Sequence, residues 1–253
     1  MNLPESPPSI WLDTYGPYIP EPALEGKINV DIAVIGGGFT GLMTAYEIKL
    51  AEPGLDVALL EAKYIGYGAS GRNGSFAMTV VGLGLTTNKM LYGKQFIKDA
   101  HTYMERAVDT LDDFILKHAL DCDRTRPGFL RVATTPAYLK RLQNDIDLMK
   151  SLGFEGIDWI DAKEMRSRVN SEHYLGALWE PRLVLMNPVK LQREEKRLAQ
   201  HAGVQIYENS PVVEISYQPK FRLKTSNGEI QSKKIVFATN AYSHFLPPLK
   251  YKQ

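Results

Sequence analysis

Three glycines with a fixed spacing are the residues of this sequence best suited to bind a phosphate group. Gly36, Gly38 and Gly41 have the G-x-G-x-x-G spacing and come directly after an apolar run at 30–35. In such a sequence the first glycine permits a tight turn, and the second lets a diphosphate approach the backbone. The third permits close packing of a helix against a strand. The chemistry that this spacing predicts is the binding of a diphosphate-containing ligand.

The elements around these glycines are those that a dinucleotide site needs. The run at 30–35 predicts a buried parallel strand, and a helix is predicted from Phe39 onward. The N–H groups that open this helix, including that of Thr40, would point at the phosphates. A second strand at 57–60 ends in Glu61, whose carboxylate can accept hydrogen bonds from ribose hydroxyls. This order favours a dinucleotide site over the alternative of an ordinary glycine-rich turn.

A second glycine-rich segment, residues 66–76, follows Glu61 closely. Its glycines let the backbone approach a ligand, Ser70 and Asn73 supply hydrogen bonds, and Arg72 supplies a cation. A flexible surface loop is the alternative interpretation. Because ligands of such folds bind at the carboxyl ends of the strands, the position after the second strand favours a ligand-binding loop.

Composition and charge limit the classes of protein that this chain can represent. The 253 residues are 44% hydrophobic and 23% charged, which is typical of one large globular domain or two small ones. The net charge of +1 does not indicate a protein that binds nucleic acid or an anionic membrane through its overall positive charge. The single cysteine, Cys122, excludes an intramolecular disulfide and indicates a reducing compartment. We expect it to be buried rather than reactive.

Targeting and metal-binding signals are not found in the sequence. Residues 1–10 do not have the pattern of a secretory signal, and no run of eighteen apolar residues predicts a transmembrane segment. The cytoplasm is the expected location. His101 and His118 have no partner residues at metal-ligand spacing, so no metal is predicted.

The pattern of the chain divides it into three parts. Residues 1–29 are rich in proline and aromatic residues, and we expect an irregular extension that wraps the adjoining domain. Residues 30–87 and 187–253 are predicted to form one discontinuous nucleotide-binding domain. Residues 88–186 are then an inserted region.

Residues 88–186 and 187–253 both contain segments with helical periodicity and segments with strand periodicity. One long helix is predicted from Asn88 to about Leu120, a strand from Arg124 to Thr135, and a second helix from Pro136 to about Leu152. Asp161 with Glu164 resembles a capping box. In the last part we expect a helix that begins at Pro188, strands at 204–207 and 212–215, a hairpin at 227–228 and a separate apolar strand at 234–238.

Taken together, the motifs resemble those of the FAD-dependent amine and amino-acid oxidases of the D-amino-acid oxidase superfamily, which includes glycine and sarcosine oxidases. The segments that carry the resemblance are 34–41, 59–62, 68–74, 206–212 and 238–242. The first is shared by many FAD and NAD proteins, whereas Gly-Ala-Ser-Gly-Arg-Asn-Gly at 68–74 is much more specific. The aromatic segment around 11–13 looks most like the γ-glutamylputrescine oxidoreductase branch.

The resemblance implies an α/β fold: a Rossmann-like FAD-binding domain with a β-meander, plus an inserted, partial α+β substrate region. It also implies FAD as the cofactor. By position, Gly36, Gly38 and Gly41 would hold the pyrophosphate, and Phe39 and Thr40 between them would also contact the cofactor. Those that would border the adenosine are Glu61, Ala62, Lys63 and Val212. Those beside the pyrophosphate, ribityl chain and isoalloxazine would be Gly68, Ala69, Ser70, Arg72, Asn73 and Gly74, while Ala238, Thr239 and Asn240 would close the cleft.

The activity that the resemblance implies is oxidation of a C–N bond in a small amine or amino acid, with hydride transfer to flavin N5. Most of that chemistry belongs to the cofactor, so no catalytic acid or base is assigned. Family members continue well beyond a strand like 234–238. The resemblance therefore implies a fragment of a longer enzyme, one member of a split pair with a complementing C-terminal part or subunit, or a shortened relative. Two other interpretations stay open, a non-catalytic FAD-binding module and, less favoured by segment 66–74, an NAD-dependent dehydrogenase.

Overall fold

The structure is a computed structural model, and it describes residues 9–245. Parts of the predicted N-terminal extension (1–8) and of the predicted nucleotide-binding domain (246–253) lie outside the described residues. The helices are α1 (Ile10–Tyr15), α2 (Phe39–Ala51), α3 (Leu85–Lys117), α4 (Pro136–Ser151), α5 (Ala162–Arg168) and α6 (Pro188–His201). The strands are β1 (Gly26–Ile35), β2 (Val57–Leu60), β3 (Phe76–Met78), β4 (Phe129–Ala133), β5 (Asp158–Asp161), β6 (Gly176–Glu180), β7 (Leu183–Leu185), β8 (Gln205–Tyr207), β9 (Glu214–Tyr217), β10 (Phe221–Lys224) and β11 (Gly228–Phe237).

The chain folds as two compact units. Of the described residues, unit 1 contains 9–74 and 187–245, and unit 2 contains 75–186. Residues 75–87, which the sequence pattern grouped with the nucleotide-binding domain, lie in unit 2. One reason is that β3 pairs with β7 of the same unit. The functional assignment of each part stays a prediction.

Unit 1 is built on a six-stranded sheet in the order β8-β2-β1-β11-β10-β9. The four strands from β8 to β11 are parallel, and β9, β10 and β11 form an antiparallel meander. Strand β1 is central, and its Ala33 and Val34 are fully buried. A strand with parallel neighbours on both sides must be apolar on both faces, which explains the continuous run that the sequence shows there. The predicted α/β fold with a β-meander is confirmed.

Helices α2 and α6 pack against each other within unit 1. Helix α2 ends at Ala51, just before Pro53, which cannot continue a helix. Helix α6 begins with Pro188 in its first turn, and the Asn187 side chain accepts hydrogen bonds from the N–H groups of Val189 and Lys190. Gly203, just beyond its end, has φ 96°, the left-handed conformation expected there.

Unit 2 contains a three-stranded antiparallel sheet, β4-β6-β5, and the two-stranded sheet β3-β7. Helix α4 packs its apolar face on the larger sheet, with Leu142, Ile146 and Met149 in one buried cluster with Leu178 of β6. The Thr135 side chain caps α4 and that of Asp161 caps α5, as the sequence predicts.

Four local predictions were wrong or incomplete. The long helix is interrupted at Gly93, whose φ of 81° and ψ of 174° are not helical, so α3 is two helices joined at a kink. The extension does contain regular structure, the short helix α1 capped by Ser9. Strand β4 is shorter than the predicted segment 124–135. The hairpin return and the apolar strand at 234–238 are one continuous strand, β11, because its residues pair with β1 along its length.

Candidate dinucleotide-binding site

A cleft of about 390 Å³ lies within unit 1, where the parallel strands β1, β2 and β11 reach their carboxyl ends. Parallel α/β sheets bind ligands at this edge because the loops that follow the strands converge there. The residues that line the cleft are Ile35, Gly36, Gly37, Gly38, Thr40, Leu60, Glu61, Ala62, Gly66, Tyr67, Gly68, Ala69, Ser70, Gln192, Ser210, Pro211, Val212, Phe237, Ala238, Thr239, Asn240 and Tyr242.

The floor of the cleft requires glycine. Gly36 has φ 109°, a conformation that other residues rarely adopt, and a Cβ atom there would collide with the carbonyl oxygen of Ala238. A Cβ atom at Gly41 would collide with the carbonyl oxygen of Gly36. At Gly38 it would lie 2.9 Å from the Ser70 Oγ. The chain at the end of β11, the glycine turn after β1 and the first turn of α2 therefore pack with their backbones in close contact. The absence of side chains at these glycines leaves the cleft open to a ligand.

Glu61 follows β2 and is held in place by two backbone amides. Its Oε2 accepts a hydrogen bond from the Gly37 N–H at 2.8 Å, and its Oε1 accepts one from the Lys63 N–H at 2.9 Å. Burial raises the pKa of the Glu61 carboxyl, and these two hydrogen bonds oppose that rise. Each oxygen of a carboxylate can accept a further hydrogen bond, so the group has capacity left for two ligand hydroxyls.

The loop after Glu61 is held by its own polar side chains. The Ser70 Oγ accepts a hydrogen bond from the Phe39 N–H at 3.2 Å, which joins the loop to the start of α2. The Arg72 Nε donates to the Tyr67 carbonyl oxygen at 2.6 Å, and the Asn73 Nδ2 donates to the Ser70 carbonyl oxygen at 2.7 Å. Arg72 and Asn73 thus stabilise the loop and do not line the cleft.

The fully buried side chain of Glu208 holds the start of the loop that follows Glu61. It accepts hydrogen bonds from the Ile65 N–H, the Glu21 N–H, the Tyr18 hydroxyl and the Lys196 ammonium group. Burial and the hydrogen bond to Glu208 raise the pKa of Tyr18, so its hydroxyl remains a donor. A buried charge is tolerated when its hydrogen bonds are satisfied, and this one ties the chain entering β1 to the loop after β2.

Twelve of the predicted cofactor-binding residues line the cleft: Gly36, Gly38, Thr40, Glu61, Ala62, Gly68, Ala69, Ser70, Val212, Ala238, Thr239 and Asn240. The remaining six do not line it: Phe39, Gly41, Lys63, Arg72, Asn73 and Gly74. Phe39 and Lys63 still act on it through backbone hydrogen bonds to Ser70 and Glu61. Their assigned roles toward a cofactor stay predictions.

One residue of the cleft had no signal in the sequence. Gln192 lies on α6, about 130 residues beyond Glu61 and outside every glycine-rich segment, yet its buried side chain lines the cleft. Its Nε2 is 3.4 Å from the Gly37 carbonyl oxygen. Only the packing of α6 beside α2 brings it there, and no local pattern predicts that packing.

Unit 2 contains a separate, much smaller cavity of about 50 Å³, whose mostly apolar walls include a few polar and charged side chains. His101 lines it, and the His101 Nε2 is 3.7 Å from the Glu180 Oε1. Within residues 9–245, neither the His101 Nε2 nor the Arg131 Nε has a hydrogen-bond partner. Burial, together with the charges of Arg182 and Arg131, lowers the pKa of His101 to about 4.

The described part of the chain has neither a cluster of metal-ligating residues nor a helix that could span a membrane. Over residues 9–245, no group of three or more His, Cys, Asp or Glu residues could hold a metal ion. None of the helices in that range has the length and apolar character needed to cross a bilayer. Cys122 is buried, as expected.

Comparison with known families identifies the family of this chain. Residues 31–253 match the family described as FAD dependent oxidoreductase, known as DAO. The chain belongs to this family. The resemblance predicted from the sequence is confirmed, and FAD is the cofactor that defines DAO members.

Curated relatives agree with membership of the DAO family. The chain is 32% identical over 225 residues to γ-glutamylputrescine oxidoreductase of Escherichia coli K12, which is 89% of this chain and 52% of that protein. It is 29% identical over 249 residues to the probable oxidoreductase OrdL of Rhizobium meliloti, covering 97% of this chain and 58% of that protein. The chain thus spans about half the length of the curated relatives it matches.

Solved structures show the same DAO fold. Glycine oxidase from Geobacillus kaustophilus matches with a TM-score of 0.70 and 21% identity, over 87% of this chain and 58% of that one. Dithionite-reduced L-α-glycerophosphate oxidase from Mycoplasma pneumoniae, solved with FAD bound, matches with a TM-score of 0.70 and 22% identity. That match covers 86% of this chain and 56% of the oxidase.

Proposed function

We propose that this chain binds FAD in the cleft of unit 1 and is the FAD-binding portion of an oxidoreductase that oxidises a C–N bond of an amine or amino acid. The observation that carries the proposal is the glycine floor at the carboxyl ends of β1 and β11, with the Glu61 carboxylate at the end of the adjacent strand. When bound, the flavin would supply the hydride acceptor, and the protein would supply position and a dry environment.

The residues of the cleft fit the parts of FAD in turn. Gly36, Gly38 and the N-terminus of α2 would hold the negatively charged pyrophosphate, since glycine leaves room for it and the helix dipole favours it. The two oxygens of Glu61 would accept hydrogen bonds from the hydroxyls of the adenosine ribose. The Val212 backbone would contact adenine, and Ala238–Asn240 would close the cleft from the β11 side.

A titration of the purified chain with FAD tests the binding step. We expect a yellow complex and quenching of FAD fluorescence in the wild type. Glu61→Gln should weaken FAD binding about tenfold or more, because a hydrogen bond to a charged group contributes about 1.5–3 kcal/mol. Glu47→Gln, an exposed position on α2, is the matched control and should bind like the wild type. Equal affinity of the Glu61 and Glu47 variants would refute the assigned role of Glu61, and a colourless wild type that binds NAD would refute the choice of cofactor.

An anaerobic spectrum of the FAD-loaded chain tests the activity. A panel of primary amines, secondary amines and amino acids is added, and loss of the visible flavin absorbance reports substrate oxidation. The name of the E. coli relative makes γ-glutamylputrescine the first compound to try. Full FAD occupancy without bleaching by any compound would favour a non-catalytic FAD-binding module instead.

We also propose a complementing C-terminal part or subunit and a cytoplasmic location. The first is supported by the length of the relatives, about half of which this chain spans. The second is supported by the single cysteine, which cannot form an intramolecular disulfide. Sequencing the gene downstream of codon 253 tests the first proposal, and cell fractionation tests the second.

A further inference from the structure

Gln192 has a hydrogen-bonding pattern that its own fold does not explain. The side chain is fully buried, and its Nε2 donates to the Gly37 carbonyl oxygen at 3.4 Å. Its Oε1 is also buried, and no described residue between 9 and 245 donates a hydrogen bond to it. A buried amide oxygen without a partner is unfavourable, and an apolar side chain of similar size would avoid the problem. The contact with Gly37 and the position in the cleft wall therefore point to a ligand.

The contact with Gly37 has a geometric consequence for the next residue. A trans peptide is planar, with its C=O and N–H groups pointing in opposite directions. The bond from the Gln192 Nε2 therefore turns the Gly38 N–H away from α6. The preceding amide is fixed as well, because the Gly37 N–H donates to the Glu61 Oε2 at 2.8 Å. The Gly37 backbone is thus held by a different side chain at each end.

We propose that Gln192 is a positioning residue for the diphosphate. It fixes the Gly37–Gly38 peptide so that the Gly38 N–H faces the phosphate oxygens. Its unpartnered Oε1 accepts a hydrogen bond from a water that is ordered when the ligand occupies the cleft. The ligand class is a dinucleotide or nucleoside diphosphate, and the inference rests on the proposed binding of FAD in this cleft.

The test measures ligand affinity and unliganded stability in the same variants. Gln192→Leu keeps the volume and removes both polar atoms. Gln200→Leu is the matched control, because Gln200 lies at an exposed position of the same helix, outside the cleft, where its side chain hydrogen-bonds Glu21. We expect Gln192→Leu to weaken binding of FAD about tenfold, the effect of losing one hydrogen bond that acts on the ligand. ADP, which has the diphosphate but no flavin, should lose affinity by a similar factor. The melting temperature of the unliganded variant should stay close to that of the wild type, because the loss of the long hydrogen bond to Gly37 is offset by removal of an unsatisfied buried oxygen.

The outcomes separate this inference from the proposal on which it rests. Unchanged affinity of Gln192→Leu for both FAD and ADP would overturn the role of Gln192 and leave FAD binding intact. A melting temperature several degrees lower, with weaker binding, would also overturn it, because the residue would then be structural. If Gln192→Leu does not fold, Gln192→Met is used with the same criteria, and failure of both to fold counts as a structural role. A wild type that binds neither FAD nor ADP would overturn the proposed function itself.

Discussion

Glu208 in unit 1 and His101 in unit 2 are both buried ionisable side chains, but their surroundings differ. Glu208 accepts hydrogen bonds from two backbone amides, a hydroxyl and an ammonium group. His101 lines a small cavity, and its Nε2 has no hydrogen-bond partner among the described residues. The hydrogen-bonding capacity of Glu208 is thus used by protein donors, whereas burial and the charges of Arg182 and Arg131 lower the pKa of His101 and oppose its charged form. Unit 1 therefore uses a buried charge to fix a loop, whereas unit 2 contains a group that favours unfolding when it is protonated.

Substitution of Gly41 should have the largest effect and should act on unit 1. In Gly41→Ala the new Cβ atom would overlap the Gly36 carbonyl oxygen, which is backbone and cannot move without opening the turn. We expect a loss of at least about 3 kcal/mol in the free energy of unfolding. Denaturant unfolding measures the loss, and hydrogen exchange should show it in unit 1.

Gly54→Ala is the control for that prediction. A Cβ atom at Gly54 would have no atom within 4 Å, so the substitution should leave stability nearly unchanged. A Gly41→Ala protein as stable as Gly54→Ala would mean that the close contact between α2 and the glycine turn is not rigid.

Glu208→Gln should have the next largest effect. The substitution keeps the shape of the side chain but removes its charge and replaces one acceptor oxygen with an NH2 group that faces hydrogen-bond donors. The Lys196 ammonium group loses its buried partner and keeps only the partly exposed Glu21, at 2.7 Å. We expect a loss of about 3 kcal/mol, the lower end of the cost of breaking a buried ion pair. Glu214→Gln is the control, because Glu214 is exposed on β9 and pairs with Lys224 at the surface. If the two variants lose the same amount, Glu208 is not the anchor that the structure describes.

The third prediction concerns pH and unit 2. The pKa of His101 is about 4 in the folded protein, below its ordinary value of 6.5. As the pH falls, His101 is therefore protonated in the unfolded chain at a higher pH than in the folded protein. The contribution of His101 to stability is therefore present above pH 6.5 and is lost as pH falls toward 4. Between about pH 7 and pH 5 the loss should be about 2 kcal/mol.

The His101 contribution can be isolated by difference. Glu180 and Glu105 face the same histidine, and burial raises the pKa of both carboxyl groups, so their protonation also contributes to the pH dependence. The loss between the two pH values should be smaller in His101→Gln than in the wild type, and unchanged in the exposed His173→Gln control. Identical pH dependence in all three proteins would contradict the prediction.

The elements of unit 1 that could be predicted are those whose signal is local. The strand, glycine turn and helix at 30–51 follow from an apolar run, three glycines and a proline stop, all close in sequence. Glu61 could be predicted because it lies directly at the end of β2. The cap at Asp161 and the hairpin at Gly228 are local signals of the same kind.

The parts that could not be predicted depend on contacts between distant segments. Gln192 reaches the cleft only because α6 packs beside α2. The length of β11 is set by its pairing with β1, so the sequence alone divided it into two strands. The Gly93 kink was missed because a single glycine is tolerated in a helix, and nothing local shows which glycine will leave the helical conformation.

The position of β1 between β2 and β11 has a consequence for synthesis on the ribosome. One neighbour of β1 is translated almost at once, but the other begins at Gly228, about 200 residues after Gly26. Until that segment emerges, the nascent chain carries an apolar strand with one open edge, which can pair with another chain. A nonsense mutation before codon 228 would make this state permanent, so such a polypeptide should be found in inclusion bodies or be degraded.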